Sequence, residues 1–261
     1  PYGDLSAILQ YCQSIPELIR YAALCLQRAP DIGAIIRAME YDTSGKGHLL
    51  FEFLFSKLDK EIQMYLIETS ILSSFNLELA AYLTGRSIDE EIVTALAREN
   101  IFLLPLSPDS DWFVFNVKAQ EYLWNHLHQW DRQQLDGLHQ RASEWLGSQG
   151  EILKAIEHAI AATEWELAAR WVELAAQEFL QQGHLVTVIS WLGKLPTDLF
   201  IRKPMLSIIK AWGLIISQQY DVVEEVLQQA LKAADNDSNP QKIIDHVQAI
   251  REFLSFRSKE S

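Results

Sequence analysis

The segment that most resembles a ligand-binding loop runs from Asp42 to Phe53. It opens with an aspartate and carries Gly47 at the sixth position, as an EF-hand calcium loop does. Calcium needs oxygen ligands, but Lys46 and Leu50 occupy the fifth and ninth positions. Phe53 replaces the bidentate glutamate of the twelfth position. We therefore expect a surface loop that opens a helix rather than a calcium site.

The same segment approaches a phosphate-binding loop through Gly45-Lys46. Glu40, however, stands where such a loop has its first glycine, and Gly47 stands where Ser or Thr would hold magnesium. We expect no nucleoside triphosphate cradle within these residues. An ATPase complete within the chain is therefore the least favoured class of function.

Side chains that act as nucleophiles or metal ligands are not grouped as their chemistry requires. The sequence has no Gly-x-Ser-x-Gly elbow, and neither cysteine has a histidine beside it. His126 and His128 are two positions apart, which directs them to different sides of a helix. His139 and His158 are predicted to be partly buried helix residues. We predict that the segment is not an enzyme and holds no metal.

Composition narrows the class of protein further. The chain has 261 residues, of which 49% are hydrophobic, and 22 basic against 35 acidic residues give it a net charge of -13. This hydrophobic content excludes disorder, and the length fits one large domain or two ordinary ones. Excess negative charge without a basic run argues against direct contact with nucleic acid.

Cellular location is indicated by three features of the sequence. Cys12 and Cys25 form neither a metal knuckle nor a disulfide framework, so a reducing compartment is expected. No apolar stretch is long enough to span a membrane, and the N-terminus lacks a signal segment. We predict a cytoplasmic protein. Because the chain begins at Pro1 and its first methionine is Met39, we expect it to be a piece of a longer polypeptide.

Helix-start signals recur along the chain. Ser14-Ile15-Pro16-Glu17 combines a capping box with a proline in the first turn, and Asp59 is placed to cap a further helix. The segments 87–90 and 163–166 repeat the Ser/Thr-x-x-Glu pattern. Apolar periodicity predicts helices over 16–29, 59–71, 76–83, 87–98, 119–128, 132–147, 152–162, 164–182, 185–194, 204–217, 219–234 and 240–257. The fold class is mainly α.

One stretch has a strand pattern instead. The runs 101–106 and 112–117 are aromatic and β-branched, and the turn-forming residues 107–111 separate them. This predicts a β-hairpin. Because three helices precede it, the arrangement resembles the wing of a winged-helix module.

The C-terminal half has the pattern of a helical-repeat array. The segments 164–169 and 219–224 look alike: each opens with an aromatic residue beside an acid and continues with small or branched apolar residues. Such tetratricopeptide-like hairpins bury their faces by stacking on neighbouring units.

Tryptophans are frequent in this half, at positions 145, 165, 171, 191 and 212. Their helical spacing is compatible with simple packing between stacked helices. A concave helical array can also direct such side chains toward a ligand or peptide. Trp165, Trp171, Trp191 and Trp212 are therefore candidates for lining a ligand or partner groove.

Several short segments, taken in order, resemble one known family. They are Phe51–Leu58, Tyr65–Leu72, Leu83–Gly85, Asn100–Leu106, Leu138–Trp145, Ala155–Ala159, Trp191–Pro196 and Ala211–Trp212. Together they are similar to the middle of MalT-like regulators, which are LuxR-type transcription factors of the signal-transduction ATPase (STAND) class. The likeness covers nearly the whole chain.

The resemblance implies a domain organisation. Residues 1–47 would end the helical part of a nucleotide-binding module, 48–118 would form a winged-helix domain, 119–150 a helical arm, and 151–261 tetratricopeptide-like sensor repeats. The ATP-binding loop would lie upstream and the DNA-binding helix-turn-helix downstream. ATP or ADP would thus be a cofactor of the longer protein rather than of this segment.

Two nucleotide-contact positions carry over by resemblance. Pro16 matches the proline of a Gly-x-Pro that lies against the adenine, whereas Ser14 replaces its glycine. Asn116 stands where related switches have a histidine that senses the β-phosphate of ADP. A neutral amide can donate a hydrogen bond to phosphate but cannot supply a cationic imidazole.

The resemblance also implies a function. Binding of a small-molecule inducer or a regulatory protein to the repeats would favour an opened form that self-associates under nucleotide control, without direct nucleic acid contact by this segment. A free-standing helical-repeat adaptor for protein-protein interaction, without nucleotide switching, is the alternative.

Overall fold

The computed structural model describes residues 8–12, 15–28, 33, 36 and 48–257. The chain divides into two compact units, Pro1–Leu135 and Asp136–Ser261. The predicted capping residue Ser14 and the loop residues 42–47 lie outside the described residues. Within the described part, no helix combines the length and the apolarity needed to cross a bilayer.

The first unit consists of helices around one β-hairpin. Its elements are α1 (Pro16–Arg28), α2 (His48–Ser56), α3 (Lys60–Thr69), α4 (Leu77–Thr84), α5 (Glu90–Glu99), β1 (Leu103–Pro105), β2 (Phe113–Phe115), α6 (Val117–Leu127) and the start of α7 (Arg132–Ser148). The mainly α fold with a hairpin is confirmed for the described residues.

The hairpin is shorter than predicted but is joined by a third segment. Its strands pair antiparallel, with Leu103 opposite Phe115 and Pro105 opposite Phe113. Phe113 also exchanges two backbone hydrogen bonds with Phe75, at 2.9 and 2.7 Å. Val117 was predicted to end the second strand, but it begins α6, because the Asn116 side chain caps that helix.

Aromatic side chains fill the core of the first unit. The Tyr21 and Phe51 rings lie 5.2 Å apart and join α1 to α2. Phe51 and Phe55 each lie 6.0 Å from Phe102, which precedes β1. Burial of each such ring stabilises the fold by about 1.5–3 kcal/mol. The packing of Phe102 against α2 therefore stabilises the start of the hairpin.

The second unit contains the remainder of α7 and the helices that follow it. These are α8 (Ile152–Ala161), α9 (Trp165–Gln181), α10 (Leu185–Lys194), α11 (Leu199–Arg202), α12 (Met205–Ile216), α13 (Val223–Lys232) and α14 (Pro240–Arg257). Short 3₁₀ turns precede α13 and α14. The sequence pattern did not indicate α11, and it placed the start of α13 four residues early.

Four of the helix-to-helix connections in this unit have the same backbone conformation. Gly150, Thr163, Gly183 and Gln218 all have φ between 56° and 84°, in the left-handed region. After each of them, the next backbone N–H donates to the carbonyl five residues back, at 2.8–2.9 Å. This is the Schellman arrangement that ends a helix and reverses the chain. Its repetition confirms the predicted array of helical hairpins.

Small residues let these helices pack closely. Ala159, Ala168 and Ala176 are fully buried in one cluster of the second unit, together with Val172 and Val188. A second cluster gathers residues of α12, α13 and α14 around Leu227. Each helix therefore buries its apolar face against its neighbours in the array.

Candidate functional site

A polar contact links α1 to the base of the hairpin in the first unit. Arg20 donates from Nη1 to the Glu99 carbonyl at 3.1 Å and from Nη2 to the Asn100 carbonyl at 2.5 Å. The Tyr21 hydroxyl donates to the same Asn100 carbonyl at 3.3 Å. Asn116 donates from Nδ2 to the Tyr21 hydroxyl at 2.8 Å. We call Arg20, Tyr21, Asn100 and Asn116 the α1–hairpin contact.

Local sequence explains why these groups are available. Asn100 has φ 58° and ends α5, a left-handed position that asparagine tolerates better than most residues. Asn116 caps α6 by accepting the Lys118 backbone N–H at 3.0 Å. Both asparagines therefore sit at helix ends, where backbone carbonyls and side-chain amides remain free to bond to α1.

The two nucleotide-contact candidates occupy different environments. Pro16 is exposed and begins α1, one turn before Arg20. Asn116 has both polar ends of its amide engaged, one by Tyr21 and the other by the α6 backbone. Ser14 lies outside the described residues. The nucleotide role of Pro16 and Asn116 stays a prediction.

Three of the four candidate tryptophans lie in helix packing. Trp191 is only 3% exposed and its ring lies 4.9 Å from that of Phe179. Trp171 is partly buried and donates from Nε1 to Ser143 Oγ at 3.1 Å. Trp165 packs against the same apolar cluster at the start of α9. Trp212 differs from these three in that it lines a large groove of the second unit.

This groove, which we call the Trp212 groove, has a volume of about 760 Å³. One wall comes from α9, the floor from α12, and the other side from the segment that leads into α14 and from the first turns of α14. Its residues are Glu173, Gln177, Leu180, Gln181, Met205, Ile208, Ile209, Trp212, Ile216, Asp237, Ser238, Asn239, Lys242 and His246. The volume and the mixture of apolar and polar groups are typical of small-molecule sites.

Glu173 is the most unusual polar group of the Trp212 groove. Its Oε1 is buried and accepts no hydrogen bond from any described residue. Burial raises the pKa of this carboxyl; Lys203 and Lys242 oppose the shift, whereas Asp237 and Glu166 add to it. An unpaired buried acceptor is destabilising, and the described residues provide no donor for Glu173 Oε1.

His246 gives the groove a neutral polar group. Burial lowers its pKa, and the nearby Lys242 ammonium lowers it further, while Asp245 acts in the opposite direction. The imidazole is therefore neutral at pH 7 and can both donate and accept hydrogen bonds. Sequence reasoning missed Glu173, Lys242 and His246, since Glu173 lies on α9, the other two lie on α14, and no local motif joins them.

Two histidines form a direct pair elsewhere in the second unit. The Nδ1 atoms of His139 on α7 and His158 on α8 lie 2.8 Å apart. Burial, with contributions from His139 and Lys154, lowers the pKa of His158 to about 3. Both residues were predicted to be partly buried, which the structure confirms, but their pairing was not foreseen.

The winged-helix character of the first unit is supported by comparison with known families. Residues 51–135 match the MalT winged helix domain. This range includes the hairpin, α6 and the beginning of α7. The predicted domain boundaries at 47, 118 and 150 stay predictions.

Curated relatives extend the similarity beyond this domain. The MalT regulator of Vibrio campbellii is 31% identical over 182 residues, which cover 69% of this chain and 20% of the relative. MalT of Yersinia pestis is 25% identical over 232 residues, covering 87% and 26% respectively. The serine/threonine-protein kinase PknK of Mycobacterium tuberculosis is 26% identical over 223 residues, covering 84% and 20%.

Fold and comparisons together define a winged helix domain that is followed by a helical-repeat array. The chain spans about a fifth to a quarter of the length of these curated relatives, between 20% and 26%. The chain is MalT-like over most of its length, and its residues 51–135 match the MalT winged helix domain.

Proposed function

We propose that this chain is the signal-sensing and relay segment of a MalT-like transcription activator. In this proposal an inducer or regulatory protein binds the helical array, and the winged helix passes the signal to a nucleotide-controlled oligomerisation switch. The MalT-type winged helix directly preceding an array with a large groove is the observation that carries the proposal.

The Trp212 groove is the proposed sensing site. Its walls come from helices of successive hairpins, so a ligand bound there would change the packing between repeats. A ligand shifts the resting equilibrium only if it binds the two forms differently, by several kcal/mol for a complete switch.

The α1–hairpin contact is the proposed relay element. Its α1 side lies in residues 1–47, the predicted end of the nucleotide-binding module, and its hairpin side belongs to the winged helix. The four hydrogen bonds of this contact are few and near the surface at Arg20, so the contact can open at modest cost. Opening it would free the nucleotide module to self-associate.

The nucleotide itself would be bound by residues upstream of this chain. Pro16 would lie near the adenine and Asn116 near the β-phosphate. Because the Asn116 amide is neutral and already bonded to Tyr21, it would hold ADP less firmly than a cationic histidine. The resting ADP-bound form of this regulator would therefore be weaker than in relatives with histidine.

The remaining parts of the proposal concern this segment alone. It would act in the cytoplasm, carry no catalysis of its own and leave DNA binding to a separate helix-turn-helix. Its net charge of -13 supports the absence of direct nucleic acid contact.

The relay can be tested in the full-length gene product. Tyr21→Phe keeps the ring contact with Phe51 but removes the hydroxyl that bonds Asn100 and Asn116. We expect this variant to self-associate at lower protein concentration than the wild type, measured by light scattering with ADP and with ATP. Tyr82→Phe, at an exposed position on α4, is the matched control. Identical association of wild type and Tyr21→Phe would refute the relay.

The alternative function is a helical-repeat adaptor without nucleotide switching. It is favoured by Asn116, whose amide is engaged as a helix cap and as a Tyr21 partner. Sequencing the gene on both sides separates the two: a phosphate loop upstream and a helix-turn-helix downstream support the regulator, whereas stop codons support the adaptor.

A further inference from the structure

The Trp212 groove holds a buried carboxyl oxygen, Glu173 Oε1, that lacks a hydrogen-bond partner among the described residues. Glu173, Gln177 and Gln181 follow one another at intervals of four residues, so they share one face of α9 along the groove wall. The two amides can bond to a range of polar groups. The buried Oε1 of Glu173 can only accept a hydrogen bond when the carboxyl is ionised.

The basic residues near Glu173 form ion pairs with other acids or are exposed to solvent. Arg202 pairs with Glu166 and, at 3.1 Å, with Asp198. The Lys203 ammonium lies 3.7 Å from Glu166. Lys242 lines the groove, but it is an exposed residue whose charge is screened by solvent. No described residue therefore donates to Glu173 Oε1, which leaves this oxygen available to a bound ligand.

The surroundings of Glu173 restrict what that donor can be. Met205, Ile208 and Trp212 of α12 form an apolar and aromatic floor. Asp237 adds a second acid to the groove, and the whole chain carries a charge of -13, both of which favour a cation. An aromatic floor also attracts cations and flat apolar groups.

We infer that the Trp212 groove binds a small organic cation, a primary amine or amidine on a flat apolar body. Its N–H donates to Glu173 Oε1 and its body lies against Trp212. This inference rests on the proposed sensing function of the groove and names the chemical class of its ligand.

The test compares matched cationic and neutral probes with the 261-residue chain. The pairs are 2-phenylethylamine with 2-phenylethanol and benzamidine with benzamide. Calorimetry measures affinity, and tryptophan fluorescence locates the ligand through the Trp212→Phe variant. We expect each cation to bind at least about tenfold more tightly than its neutral counterpart, because a charge-assisted hydrogen bond is lost in the latter.

Two variants assign this preference to Glu173. Glu173→Gln should abolish the difference between cation and neutral probe. Glu178→Gln, at an exposed position on the same helix, should retain it. Thermal unfolding provides a reading without ligand: Glu173→Gln should leave the melting temperature unchanged or raise it, since Oε1 has no partner to lose.

Several results would overturn the inference. They are equal binding of cation and neutral probe, a preference that survives in Glu173→Gln, no saturable binding by either cation at millimolar concentration, or a marked loss of stability in Glu173→Gln. None of them alters the effect of Tyr21→Phe on self-association, so the ligand class can fail while the relay stands.

Discussion

Asn116 Nδ2 donates a hydrogen bond of 2.8 Å to the hydroxyl of Tyr21, 95 residues earlier in the chain. The Asn116 Oδ1 meanwhile caps α6 through the Lys118 backbone N–H. One amide thus terminates the hairpin, starts the next helix and fixes α1 against both. Because the bond joins segments so distant in sequence, it ties the predicted end of the nucleotide module to the winged helix.

A double-mutant cycle would measure the strength of this bond. Tyr21→Phe removes the hydroxyl, and Asn116→Ser removes the amide donor while keeping a side chain that caps helices well. We expect a coupling free energy of about 0.5–1.5 kcal/mol, the usual net value of a hydrogen bond. Hydrogen-deuterium exchange of the α1 backbone amides measures this coupling as a change in the free energy of local opening of α1.

Each single variant also has an expected outcome. Tyr21→Phe and Asn116→Ser should each speed exchange in α1, and the double variant should add little to Tyr21→Phe, which already removes the shared bond. Strictly additive effects would mean that the two side chains stabilise α1 independently, contrary to the contact described.

Sequence patterns located the helices well but not the residues that start them. Ser87 was the expected cap of α5, yet Asp89 takes that place by accepting the Glu91 N–H at 2.9 Å. Thr163 was the expected cap of α9, but it has φ 56° and ends the preceding turn. In both cases several residues that can cap lie close together, and the tertiary packing of the helix selects among them.

The candidate site was less predictable for a physical reason. Trp212 could be named because tryptophans at helical spacing are visible in the sequence. Glu173 and His246 could not, because burial is the main cause of their pKa shifts, and burial depends on helix packing that no local pattern shows. The turns at Thr163 and Gln218 show the same limit, since neither residue favours the left-handed backbone that it adopts.

Gly147 is predicted to be essential for packing within the second unit. A Cβ at this position would overlap the indole ring of Trp171, with Cη2 only 2.5 Å away. Gly147→Ala therefore has to displace the indole and break its bond to Ser143. We expect a loss of about 1–3 kcal/mol in the free energy of unfolding, measured by chemical denaturation.

Gly193 provides the matched control for this substitution. It also lies within a helix, but a Cβ there would meet no atom within 4 Å among the described residues. Gly193→Ala should be neutral or stabilise the chain by up to about 1 kcal/mol, because alanine favours the helix. Equal destabilisation by both substitutions would show that the overlap with Trp171 is not the cause.

ATP is predicted not to stabilise this 261-residue chain. The Walker-type pattern fails at Glu40 and Gly47, so no loop is expected to hold the phosphates. Thermal unfolding should give the same melting temperature with and without millimolar Mg-ATP. A saturable upward shift would contradict this prediction and would reveal a nucleotide site of another kind.

Acid is predicted to destabilise the second unit through the His139–His158 pair. In the 2.8 Å contact between their Nδ1 atoms, one nitrogen donates and the other accepts. The ring that accepts must be neutral, so the two histidines cannot both be cationic in this contact. The pKa of His158 falls from 6.5 to about 3 on folding. Because the pKa of His158 is lower in the folded chain, the unfolded chain takes up a proton on this residue at a higher pH than the folded chain does. The stability that the neutral His158 provides is therefore fully present above pH 6.5.

The loss should therefore begin as the pH falls below 6.5 and continue toward about 3. Its slope approaches about 1.4 kcal/mol per pH unit for one proton. His158→Asn removes the titrating ring and should flatten the pH dependence of unfolding over this window, whereas replacing the exposed His128 by Asn should not. If His158→Asn kept the full slope, the proton taken up on unfolding would belong to other groups, and the pair would not govern the acid response.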